Sequence, residues 1–504
     1  MINDQATHEM RGPICAARNR AIFIVLVLAF FLRIYKVNSP LIGMSSWRQA
    51  DTAALARNYF ESGYHFLYPR VDWGGDSAGY VETEFPLYSF LVAILYKAFG
   101  PSVLLGRLLS ILFSLLTIYG LYLLVLKWLD QKTALWACVF YAILPPCIFY
   151  SRTFQPESAL LMSLVLGVYF FSHWMDTKKT RFFFLSFVFV ALACLLKIPS
   201  LYIGLPLLYM AWQKYESKVF FQKSLWFYAL CVFVPVAFWY FHARQIYKKY
   251  GLTFGVWAYG KDKWGNWDLV LTWKYWNRIL FQNLAEDYLT WAGFVILVIG
   301  LLLKRRTDRE KALDFWLISI FIYFIIVAGG NFAHLYYQLP FMLPASVFIA
   351  KVYSRYWTRD ILRNKRSTLL AAGLAIVFLL SAGRYSIYLQ KENTRNSPVL
   401  KIAEEIRRWV RNDELVIVVD NGDPTILYLS HRKGWKARAE EVNSSYIMDK
   451  KVRGARYLVG NLRAFNGEEG QNILASLLSS EVCLYDDKKF IILRLFEEDN
   501  RGND

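Results

Sequence analysis

The sequence predicts an α-helical polytopic membrane protein with a small α/β domain at its C-terminal end. Three observations predict it. Of the 504 residues 56% are hydrophobic, and several apolar runs reach the roughly 18–20 residues that a helix needs to cross about 30 Å of hydrocarbon. Lys and Arg gather in short stretches between those runs, so the net charge of +19 reads as membrane orientation and not as a nucleic-acid surface. Beyond residue 388 the long apolar runs stop, and short β-branched runs alternate with turns and amphipathic stretches.

In chain order, residues 1–20 carry Arg11, Arg18 and Arg20 ahead of an apolar run from Ala21. No small-residue cleavage site follows that run, so it reads as a retained anchor. Eleven candidate spans centre on 21–37, 103–126, 133–150, 156–174, 181–196, 199–213, 225–243, 286–303, 312–329, 338–353 and 368–386. A further apolar segment, 86–100 (PLYSFLVAILYKAFG), is short for a span and has Lys97 near its end. If it lies flat, the connections 127–132, 176–181, 214–223, 304–311 and 351–366, with 19 Lys and Arg between them, share the cytoplasmic face with the N-terminal tail. The short loops opposite then hold only Arg152 and Lys197. If it crosses, every assignment inverts. The positive-inside bias selects an interfacial helix. Eleven spans then place the C-terminus outside, which for a bacterial inner membrane is the periplasm.

Two loops are expected on that outer face with the tail: 38–102, and 244–286 with its interfacial aromatics Trp257, Tyr259, Trp264, Trp267, Trp273, Tyr275 and Trp276. The chain is thus read as a membrane domain over 1–388 and a periplasmic α/β domain over 389–504. In the latter, 414–419, 455–460 and 490–493 read as strands, and 398–410 and 470–479 as helices. The six cysteines (Cys15, Cys138, Cys147, Cys194, Cys231 and Cys483) show neither paired nor metal-ligand spacing.

Polar residues at membrane depth are costly and are kept where they pair or work. On this topology several gather near the outer boundary: Trp47, Arg48 and Asp51 in an amphipathic segment, Glu82 and Glu84 in the first loop, Arg107 a turn into the next span, then Arg152, Gln155, Glu157, Lys197, His334, Tyr336, Tyr337 and Gln338. Carboxylates beside several cations suit transfer from a phosphate-bearing donor, a base taking the acceptor proton while cations stabilise the departing phosphate. Blander roles stay open: Asp51 paired with Arg48 or Arg57, Glu84 anchoring the flat helix, Arg107 snorkelling, Arg152 paired with Glu157, and the tyrosines as interfacial anchors.

The order of these parts resembles the GT-C membrane glycosyltransferases, in particular the bacterial relatives of protein O-mannosyltransferases and of the lipid A aminoarabinose transferase. The resemblance rests on WRQADTAALARNYF around Asp51, ETEFPLYSFLVAIL, LLGRLLSILF around Arg107, SRTFQPESALL around Arg152 and Glu157, and HLYYQLPFMLPA. It covers roughly residues 20–350. It implies a GT-C fold and a polyprenyl-phosphate-linked sugar donor, with a cell-envelope glycan, lipid or protein as acceptor. It also implies Asp51 as general base of an inverting transfer, and Arg107 and Arg152, with Lys197, at the donor phosphate. Trp47, Arg48, Glu82, Glu84, Glu157, His334, Tyr336 and Tyr337 are the candidate substrate contacts. The chain departs from the family at Glu84-Phe85-Pro86-Leu87, where the aminoarabinose transferases have Lys-Pro-Pro-Leu and the O-mannosyltransferases His-Pro-Pro-Leu. No cofactor is required by the residues, and Glu84 is the position left for a divalent cation or an acceptor contact. A transporter or lipid flippase would instead place charges at the bilayer midplane in two matching halves. A polysaccharide polymerase or ligase of another membrane fold is the other alternative.

Overall fold

The computed structural model describes residues 20–495 apart from 259, 358–363, 393, 395 and 396. Arg11, Arg18, Cys15, Tyr259, Arg359 and Arg363, which enter the sequence reading, lie outside the described residues. The chain divides into two compact units, one of residues 1–37, 107–242 and 256–387, the other of 38–106, 243–255 and 388–504.

In the first unit every expected span is helical, but the number eleven is not confirmed. Among the described residues four helices are long and apolar enough to cross a bilayer: Val103–Trp128, Glu157–Thr177, Lys223–Tyr250 and Lys365–Gln390. Counting the pair Trp273–Tyr288 and Thr290–Leu302, bent by 110°, as one span makes five. Two of the other apolar runs are cut short by their own prolines. The expected span 133–150 is two helices, Gln131–Ile143 and Pro145–Phe149. Proline restricts the residue before it to extended backbone, and Leu144 sits at φ −70°, ψ 139°. The expected span 199–213 opens as a 3₁₀ turn, Ile198–Ile203, at Pro199 and becomes α-helical only over Gly204–Tyr215.

The break at Pro145 is closed by an arginine. Pro146 has no N–H for the carbonyl four residues back, Ala142, and Arg33 Nη1 donates to that oxygen at 3.1 Å. The same guanidinium donates to the carbonyls of Cys147 (2.9 Å) and Ala29 (3.1 Å) and to Ser114 Oγ (3.0 Å). Arg33 is wholly buried, so these bonds replace its hydration. Elsewhere, Glu157–Thr177 and Thr180–Leu196 form an antiparallel hairpin through Lys178, which is left-handed at φ 55°. Gly167 lets the two helices approach, since a Cβ there would lie 2.7 Å from Val190 Cγ2.

The second unit is built on a five-stranded sheet: β1 (Leu415–Val419), β2 (Gly434–Ala437), β3 (Ala455–Asn461), β4 (Val482–Asp486) and β5 (Phe490–Arg494). The order is β2-β1-β3-β5-β4, with β2, β1 and β3 parallel and β5 antiparallel to β3 and β4. Alternation divides its side chains. Ile417, Val419, Leu458 and Ile491 pack on one face with Val442, Ile447 and Leu477. Val416, Val418, Val459 and Ile492 face the other way, against Ile402 and Ile406 of the Pro398–Trp409 helix. That second face also receives Leu55, Val71, Trp73 and Val81 from the first loop. The tail therefore shares a core with residues far upstream of 389, and the unit is discontinuous in sequence where a self-contained tail was expected. An apolar sheet face must be covered, and the Ser46–Glu61 and Pro398–Trp409 helices are among the elements that cover it.

Candidate active site

In the sheet-bearing unit the Ser46–Glu61 helix begins at Ser45, left-handed at φ 56°, and is buried nearly all round, polar residues included. Asp51 is 3% exposed. The indole N–H of Trp73 donates to its Oδ1 at 2.8 Å, and the Lys436 ammonium lies 3.9 Å from the centre of the Trp73 ring. Burial pushes the Asp51 carboxyl up to about 6, opposed by Lys436, the Trp73 hydrogen bond and Arg48, and reinforced by Asp423. Asp51 is thus ionised at neutral pH in a nearly dry setting, which suits a base taking a proton from a neutral hydroxyl.

The ion pairs left open by the sequence resolve otherwise. Arg48 Nη2 meets Glu84 Oε2 at 3.0 Å and its guanidinium lies over Phe254 at 5.4 Å. Arg57 pairs with Asp72 at 2.5 Å. Glu82 is fully buried, accepts from Thr253 Oγ1 and bridges to Leu252 and Phe254 through its backbone (both 2.9 Å). Trp47 is half-buried at the start of the helix. Glu84, the position left for a divalent cation, meets a guanidinium, and among the described residues no group of three or more His, Cys, Asp or Glu could hold a metal ion.

In the helical unit the expected cations come together in two groups. Lys36, left-handed at φ 53°, turns its carbonyl toward both arginines: Arg107 Nη1 donates to Lys36 O (3.3 Å) and Val37 O (3.1 Å), and Arg152 Nη2 donates to Lys36 O (3.1 Å). Both guanidiniums are 1% exposed. Lys197 Nζ meets Glu157 Oε1 at 3.2 Å and lies over the rings of Tyr337 (4.2 Å) and Tyr336 (4.7 Å). Glu157 therefore pairs with Lys197. His334 stacks on Tyr336 at 5.5 Å, and Tyr150 approaches the same ring at 6.0 Å.

Sequence reasoning left four residues without a role here. Trp73, Lys436 and Asp423 surround Asp51, and nothing local to residue 51 signals them. Gln155 is 0% exposed, and its amide nitrogen and oxygen both lack a hydrogen-bond partner among the described residues. Glu157 Oε2 is in the same condition. The sequence already places Gln155 with the polar residues of the outer boundary, between Arg152 and Glu157, but nothing in its spacing gives it a role.

The fold is the GT-C fold, shared with the solved structures that follow. The sequence pattern of the family described as dolichyl-phosphate-mannose-protein mannosyltransferase matches residues 83–240. Among solved structures, ArnT from Cupriavidus metallidurans in the apo state superposes with a TM-score of 0.63 at 13% identity, covering 96% of this chain and 99% of that one. The same enzyme bound to undecaprenyl phosphate gives 0.60 at 13%, covering 95% and 98%. The Archaeoglobus fulgidus oligosaccharyltransferase, in complex with Zn and sulfate, gives 0.61 at 16%, covering 89% and 68%. A search for curated relatives by sequence finds no match.

Proposed function

We propose that this chain is a membrane glycosyltransferase that moves a sugar from a polyprenyl-phosphate-linked donor to a hydroxyl of a cell-envelope glycan, lipid or protein, at the periplasmic face of a bacterial inner membrane. The observation that carries this reading is the setting of Asp51: a buried carboxylate that accepts from the Trp73 indole N–H, with burial pushing its carboxyl up to about 6. The fold supports it, and so do the undecaprenyl phosphate bound by ArnT and the acceptor peptide tethered to the archaeal oligosaccharyltransferase.

In this reading Asp51 takes the proton of the acceptor hydroxyl as that oxygen bonds to the sugar's anomeric carbon. The bond from that carbon to the phosphate oxygen breaks with inversion, and the electron pair leaves on polyprenyl phosphate. Arg107 and Arg152, gathered on the Lys36 carbonyl, supply donors for the phosphate oxygens. Lys197 is committed to Glu157 and two tyrosine rings, so its contribution is to orient that group and to keep its charge close by.

The test is transfer of label from radioactive polyprenyl-phosphate sugars in membranes containing wild type or Asp51→Asn. Loss of a general base costs about 10²–10⁴ in rate. Transfer that survives Asp51→Asn undiminished would remove Asp51 as the base.

A further inference from the structure

We propose that Lys436, on strand β2 of the C-terminal sheet, is a positioning residue for Asp51. It clamps the indole that holds the carboxylate and supplies a positive charge that keeps the carboxylate ionised. The inference rests on the reading of Asp51 as the base and gives the C-terminal domain a part in the reaction.

The geometry begins at the sheet edge. Strand β2 is outermost, and its free backbone groups are taken by the first loop: Gly434 N donates to Asp72 O (3.0 Å) and Gly75 N donates to Gly434 O (2.7 Å). Gly75, at φ 63°, is required there, because a Cβ would fall 2.1 Å from the Trp435 ring. Trp73 is thereby pinned between two anchored residues. Successive residues of a strand point to opposite faces. Trp435 turns toward Gly75, and Lys436 turns to the Trp73 ring, whose N–H holds Asp51. A cation over an indole face is attracted by the ring and draws electron density from it, which strengthens the N–H as a donor. The turn after β1 completes the surroundings. Asp420 N and Gly422 N both donate to Ala437 O (3.3 and 3.1 Å), and Asp423 follows. The charged groups acting on Asp51 are thus Lys436 from β2, Arg48 from its own helix and Asp423 from that turn, with Lys436 the largest of the two cationic influences.

Pairing Asp51 with Lys436 has a readout separate from turnover. The protonated carboxyl of Asp51 is followed in the full-length chain by infrared difference spectra against pH, its carbonyl band identified by subtraction of Asp51→Asn. In the wild type the band should titrate near pH 6, the value to which burial raises this group. In Lys436→Met and Lys436→Gln the midpoint should move alkaline by on the order of one pH unit, with the acid limb of transfer moving alongside. Lys436→Arg should restore the wild-type midpoint. Coincident titrations in wild type and both neutral variants overturn the proposal, as does an equal shift in Lys436→Arg, which would trace the effect to packing and not to charge. Failure of the base reading is distinguishable: Asp51→Asn would then retain transfer whatever the infrared midpoints show.

Discussion

Burial disfavours the charged form of Asp51, and the sign of the consequence follows from linkage. Its carboxyl is raised from 3.8 to about 6, so between those values the native state binds more protons than the unfolded chain. Stability from this group is therefore full below about pH 4, falls as pH rises to 6, and stays lower above it, by on the order of 3 kcal/mol. Asp51→Asn should raise the melting temperature at pH 8 and leave it nearly unchanged at pH 4, measured by thermal unfolding in detergent. On the proposal that Asp51 is the base, transfer should fall about tenfold per pH unit below pH 6. Gln155 carries a similar cost: with both amide atoms buried and without a hydrogen-bond partner among the described residues, Gln155→Leu should raise stability by roughly 1–3 kcal/mol in thermal unfolding. An unchanged or lower melting temperature in Gln155→Leu would show that water or a bound group serves the amide. Charged residues in apolar surroundings were legible in the sequence, and Arg107 and Arg152 do converge. Their exact partners were not, because Trp73 and Lys436 approach Asp51 from distant segments.

At the scale of elements, apolar runs announce helices but not their ends. The run 133–150 is apolar throughout, and only Pro145 and Pro146 reveal that a 13-residue helix stops at Ile143. Arg33, inside the first expected span, reads as an anomaly until its hydrogen bonds to Ala142 and Cys147 are seen to repair that stop. Replacing it with Leu leaves backbone acceptors buried without donors, each costing about 1–3 kcal/mol. Arg33→Leu should therefore lower the unfolding temperature sharply, with Arg33→Lys intermediate because an ammonium cannot span the same acceptors. An unchanged melting temperature in Arg33→Leu would show that water serves those carbonyls instead. In the sheet, β1, β3 and β5 were legible as β-branched or aliphatic runs; Val-Cys-Leu-Tyr of β4 is a comparable run outside the expected strands, whereas β2 (Gly-Trp-Lys-Ala) carries none. Strand β2 is specified by its neighbours: its register against β1 and its bonds to the 72–75 segment.

At the scale of the whole molecule, the sequence shows a change of composition at 388 but not which upstream segments join the tail. Leu55, Val71, Trp73 and Val81 are spaced like any amphipathic loop, and only the sheet face they cover makes them core. Removing residues 389–504 should therefore unfold more than the tail. Hydrogen exchange within 46–61 and 70–82 should lose its protection, while 157–196, whose contacts lie in the other unit, should keep it. Protection of 46–61 that persists in the truncated protein would mean that the first loop folds by itself.

That shared core also orders events in time. The Ser46–Glu61 helix leaves the ribosome long before β1 begins at Leu415, a delay of roughly 20–70 s at about 5–20 residues/s. Throughout that interval Asp51 lacks Lys436 and the sheet face against which Leu55 and Trp73 pack. A nascent chain in which β1 and β2 have not yet been made lacks both the sheet face and Lys436, so on the reading of Asp51 as the base it should show no transfer.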